Sequence, residues 1–151
     1  MPKQETIERA RQDAREGKSA STQAGEFIKE EIDEIRAGKH GARSAKQAIA
    51  IGLSKARRAG VDVPPPKKGR VSEQTRRKAE QDYRKGHEGG AKKPSAKRSR
   101  ATLKALKRES TSAASPQALS RQARSAAAKR SPAERSASAR KAARTRQRNA
   151  S

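Results

Sequence analysis

Cysteine and tryptophan are absent from this chain, and phenylalanine and tyrosine occur once each. Without cysteine there is no disulfide framework, no thiolate zinc site and no thiol redox chemistry. Two aromatic rings are too few for the stacking platforms on which single-stranded nucleic acids are held. No run approaches the roughly 20 apolar residues of a membrane span. The start, Met1-Pro2-Lys3-Gln4-Glu5, leads into charged residues rather than an apolar signal region, so the expected protein is neither membrane-bound nor secreted. Large apolar side chains are scarce as well. Hydrophobic residues make up 30% of 151, but 29 of them are alanine and only 16 are larger. So few large side chains, with a net charge of +23, predict a chain that stays largely unpacked by itself and exclude a compact enzyme.

What is present is positive charge, unevenly placed. Residues 1–35 carry a net −3, residues 36–66 a net +6 and residues 67–151 a net +20. Nine of the larger apolar residues lie between Phe27 and Val63. The expected fold class is therefore mostly α with extensive disorder: a small helix–loop–helix head and a basic, low-complexity tail with capped short helices. The boundaries divide into a charged segment 1–21, a head 22–63, a Pro-rich basic linker 64–71 and a largely disordered tail 72–151.

Within the head, Ser21 and Thr22 precede Phe27, Ile28, Ile32 and Ile35, with 28, 32 and 35 on one helical face. Ser44-Ala45-Lys46-Gln47 reads as a capping box, followed by an apolar stripe of Ala45, Ile49, Leu53 and Ala56. Ala59-Gly60-Val61 fits a Schellman stop, and Pro64-Pro65-Pro66 prevents continuation. Nine buried side chains fall short of offsetting the ordering of some 40 residues, so the faces Ile28/Ile32/Ile35 and Ile49/Leu53 are expected to meet a second copy or a protein partner.

In the tail, Ser72 is placed to cap a helix over 72–85 stopped by Gly86, and Ser99 a helix over 99–109. Residues 115–130 and 131–146 form a 16-residue repeat with half its positions identical; each copy opens Ser-Pro, as helices start. Helices are expected near 115–130 and 131–147, forming when phosphates relieve the repulsion between their arginines.

Other motifs carry no chemistry. Gly17-Lys18-Ser19 ends like a phosphate-binding loop, but Gln12 stands where that loop needs glycine. His40 and His87 sit in Gly-rich stretches without metal-spaced companions. No catalytic, cofactor or metal residue and no small-molecule substrate is expected. The basic runs at 66–70 and 97–100 look like localisation signals, which a chain one-quarter Lys and Arg produces by composition.

A +20 arm is expected to bind a polyanion, foremost the backbone of duplex DNA. The expected contacts are Lys67, Lys68, Arg70, Arg76, Arg77, Lys78, Lys97, Arg98, Arg100, Arg124, Arg140, Arg144 and Arg148 in the tail. Lys46, Lys55, Arg57 and Arg58 ride on the second head helix, where a helix-turn-helix reader would carry them, although the 38–43 connection is long for that motif. Residues 46–60, KQAIAIGLSKARRAG, resemble a family of small basic bacterial proteins loosely labelled plasmid-stabilisation or DNA-binding proteins of unknown function. The resemblance implies bacterial origin and a link to DNA, and brings no catalytic residues. The tail is similar in composition to the Ala/Lys/Ser/Pro tails of linker histones. The expected function is non-specific, nucleoid-associated, histone-like DNA binding in the cytoplasm. The alternatives are an RNA- or ribosome-associated basic factor, and a plasmid-stability or partition adaptor with a protein-binding head and a DNA-tethering tail.

Overall fold

The structure, a computed structural model, describes residues 2–89, 93 and 95–150. These residues form helices and turns, with no strand among them. The helices are α1 (Gln4–Arg15), α2 (Ala20–Arg36), α3 (Ala45–Arg58), α4 (Glu73–His87), α5 (Ala96–Lys107), α6 (Pro116–Ala128) and α7 (Pro132–Ala150), with a 3-10 turn at Thr111–Ala114. None of the described helices is long and apolar enough to cross a membrane. The chain divides into two units, Met1–Ser115 and Pro116–Ser151.

In the first unit α2 lies between α1 and α3, α4 packs on the far side of α3, and the 3-10 turn returns onto α2 and α3. Two clusters hold these elements. Phe27 is buried with Ala10, Ala24, Ala56 and Val61, and Ile7, Leu53 and Val63 close the edges. Ile35 is buried with Ala42, Ala48, Ala113 and Ala114, with Ile32 beside them. Most of this core is alanine, which the count of large side chains leaves out. Alanine and glycine let helix backbones approach closely, so the core gains contact by proximity instead of side-chain bulk. At the α2–α3 crossing a Cβ on Gly52 would lie 2.7 Å from Ile28 Cα. Where α4 crosses the end of α3, a Cβ on Gly86 would lie 1.9 Å from the Arg57 carbonyl oxygen.

Several helix ends follow their sequence signals. Ser44 Oγ accepts from the Gln47 amide at 3.1 Å. Gln47 reaches back one residue further than a regular box, to the Arg43 amide at 2.6 Å. Gly60 has φ +94°, and the amides of Gly60 and Val61 donate to Arg57 and Ala56, which completes the Schellman motif. Ser72 caps α4. In α7 the Ser131 hydroxyl accepts from Glu134 N while Glu134 accepts from Ser131 N, a full capping box. Other ends move. Ser19 rather than Ser21 caps α2, and Ser95 rather than Ser99 caps α5.

Two expectations are corrected. The region 72–151 is not largely disordered: α4, α5, the 3-10 turn, α6 and α7 occupy most of it. Serine caps, a high alanine content and, for α4 and the 3-10 turn, packing against α2 and α3 provide the order. The head is also not confined to 22–63, because α1, α4 and residues 111–114 bury apolar surface on it. That burial uses the face expected to meet a partner. Ile35 is fully buried inside the chain, and Ile28, Ile32, Ile49 and Leu53 are half-buried.

Candidate nucleic-acid interface

Helix α5 carries seven apolar or small residues and no acid. Four of its five cations fall at 97, 100, 104 and 107, a 3-4-3 spacing that places them on one stripe. Arg108 follows on the same side, and the stripe runs about 15 Å at 1.5 Å per residue. All five side chains are exposed, and none is in an ion pair among the described residues. Arg98 lies off the stripe, also exposed. No residue of α5 is buried; Leu106 is half-buried and Leu103 is 42% exposed. The C-terminal end is fixed instead through the backbone. Gly41 N donates to Leu106 O at 2.9 Å and Ala42 N to Ser110 O at 3.1 Å. A Cβ on Gly41 would lie 2.1 Å from the Glu109 carbonyl oxygen, so glycine is needed for that approach. Arg36 Nε holds the other side by donating to Ala114 O at 2.9 Å.

The other expected contacts divide into two groups. Lys46, Lys67, Lys68, Arg70, Lys78, Arg124, Arg140, Arg144 and Arg148 are exposed. On α7, Arg140, Lys141, Arg144 and Arg148 share a face, and no residue of the helix is buried. The second group serves the fold. Arg57 is buried and donates to Val63 O and Pro64 O, both at 3.2 Å, clamping the start of the proline linker. Burial lowers its pKa, and Asp82 opposes that shift. Lys55 is 2.6 Å from Glu31, whose side chain is 1% exposed. Arg76 is paired with both Glu73 and Glu80, and this pairing holds the Glu73 carboxyl below its usual range. Arg58 is exposed and 3.8 Å from Asp82, and Arg77 is exposed and 3.7 Å from Glu73.

Sequence reasoning missed Lys104, Lys107, Arg84 and Lys85. The first two continue the α5 stripe by simple helical spacing. The last two require the α3–α4 packing, which decides the outward face of α4.

A buried polar cluster also escapes the sequence. Glu31, Glu34 and His40 bring one ligand atom each within 4.8 Å of one another. His40 Nε2 lies 3.1 Å from Glu31 and 3.8 Å from Glu34, while Nδ1 meets Gly41 O at 2.9 Å. The Lys55 ammonium, 3.8 Å from Glu34 as well as close to Glu31, already supplies a cation to these carboxylates. The cluster therefore ties α2, α3 and the loop that anchors α5.

Comparison with known proteins places part of the chain. Residues 3–68 match a family of unknown function, DUF6496. The matched segment holds α1 to α3 and Pro64-Pro65-Pro66 of the linker, less than half of the chain, and ends before α4 and α5. No curated protein and no solved structure matches the chain.

Proposed function

We propose that this chain binds the phosphate backbone of duplex DNA, with the α5 stripe as the main contact and the α7 face as a second arm. The observation that carries this reading is the set of exposed, unpaired cations at 97, 100, 104 and 107 on a helix without acids. Such a stripe costs repulsion when nothing neutralises it, and phosphates remove that cost while releasing counterions. The aromatic inventory favours a duplex over a single strand. Phe27 is 1% exposed, and Tyr83 is hydrogen-bonded to Asp62 and stacked on His87, so neither ring is free to hold a base. A nucleoid-associated, histone-like role in a bacterial cytoplasm is the setting this binding implies. The test is fluorescence anisotropy with a labelled duplex, a single strand of the same length and an RNA hairpin, for the wild type and for a variant with Lys97→Gln, Arg100→Gln, Lys104→Gln and Lys107→Gln. The duplex should bind tightest, and the variant should lose more than about tenfold in affinity with its helical circular dichroism unchanged. Tighter binding of the hairpin or single strand, or an unaffected variant, overturns the proposal.

A further inference from the structure

Helix α4 differs from α5 in how its charge is arranged. The side turned to α3 is held by several contacts. Ala79 and Asp82 are buried, Ser54 donates to Asp82 at 2.6 Å, Tyr83 donates to Asp62, and Gly86 sits on the Arg57 carbonyl. The acids gather on this side and its flank, where Glu73 and Glu80 neutralise Arg76. The opposite side carries Gln74, Arg77, Lys78, Gln81, Arg84 and Lys85, which line one open groove along the helix. Two acids border that groove, Glu80 on the flank, where it is paired with Arg76, and Glu88 at the C-cap. Apart from Arg77, 3.7 Å from Glu73, these six side chains make no hydrogen bond or ion pair among the described residues.

Glutamine set among arginines distinguishes this face from the α5 stripe. Contacts to phosphates, whichever side chain makes them, position a helix and carry no sequence information. Glutamine can instead pair with both N6 and N7 of adenine, and arginine with O6 and N7 of guanine, in the major groove. That groove is about 12 Å wide and admits one helix. We infer that the outer face of α4 enters the major groove and reads base edges, with Gln74 and Gln81 as adenine readers and Arg77 and Arg84 as guanine readers. Lys78 and Lys85, on the edge of the face, hold the flanking phosphates. Gln74 to Gln81 and Arg77 to Arg84 are each seven residues apart, about 10.5 Å or three base-pair steps. The four readers together therefore span an element of roughly four to six base pairs containing both adenine and guanine. The inference rests on the proposal that the chain binds duplex DNA, and adds sequence preference to it. The firm mounting of α4 on α3 supplies the fixed geometry that a bidentate contact requires.

The experiment selects bound duplexes from a randomised library with the full chain, alongside a Gln74→Ala/Gln81→Ala variant. These glutamines are exposed, and circular dichroism checks that the variant keeps its helices. The wild type should enrich a short A- and G-containing element, preferred over random duplex by about 5- to 150-fold for each bidentate contact. The variant should lose the adenine part of that preference while binding random duplex within about twofold of wild type, since its phosphate contacts are intact. Retained duplex binding without any enrichment, or an identical element selected by the variant, overturns the inference and leaves the backbone proposal standing. Failure of the wild type to bind any duplex overturns both.

Discussion

Tyr83 donates its phenolic hydrogen to Asp62 and stacks on His87 with ring centroids 3.9 Å apart. The hydrogen bond, with smaller contributions from burial and the aspartate charge, raises its pKa above the ordinary tyrosine value. A raised folded-state pKa means that the folded chain holds this proton more tightly than the unfolded chain. The contribution to stability is complete below the ordinary value of about 10 and is lost as pH rises through the folded value. Because Tyr83 is the sole tyrosine and tryptophan is absent, ultraviolet absorbance near the phenolate band follows it alone. The midpoint should lie above that of an unstructured tyrosine peptide, and Asp62→Asn should move it down; a midpoint at the peptide value contradicts the pairing. Residues of this kind are the hardest to read from sequence. Arg57 and Lys55 look like surface cations beside Arg58, yet the first clamps Val63 and Pro64 and the second neutralises Glu31. A one-dimensional pattern gives the type of each side chain but not the distant acceptor it turns toward.

At the scale of single helices, many local signals are legible where the partner of a group lies within a turn, although Ser19 and Ser95 cap in place of Ser21 and Ser99. Ser44, Ser72 and Ser131 cap as their surroundings suggest, and Gly60 takes its left-handed stop. Gly86 looks like a stop in the sequence, but α4 continues through it to His87, because the missing Cβ is used for contact with α3. The distinction between permissive and required glycines gives a paired prediction. Gly25, inside α2, has nothing within 4 Å of an added methyl group, so Gly25→Ala should gain up to about 1 kcal/mol from helix propensity alone. Gly52→Ala places the same methyl 2.7 Å from Ile28 Cα, and separating α2 from α3 should cost about 1–3 kcal/mol against that gain. Thermal denaturation of the two variants should move in opposite directions, and a parallel shift contradicts the close crossing.

For the whole molecule, composition locates the charge and misjudges the order. Sixteen large side chains look insufficient for a core, but Ala10, Ala24, Ala42, Ala48, Ala56, Ala113 and Ala114 fill much of it. The return of residues 111–114 to α2 and α3 is invisible in the sequence because Ala113 and Ala114 resemble every other alanine in a biased tail. The excess of cations is legible from the start, and the structure adds its arrangement: neutralised along the inner flank of α4, continuous on α5, and spread over α7. The salt dependence of duplex binding tests backbone recognition by α5 most directly. For the wild type, log K should fall linearly with log salt concentration, losing about 0.9 in slope per neutralised phosphate. Replacing Lys97, Arg100, Lys104 and Lys107 with glutamine should make that slope shallower by roughly 3 to 4. An unchanged slope in the variant, or wild-type binding indifferent to salt, would contradict it.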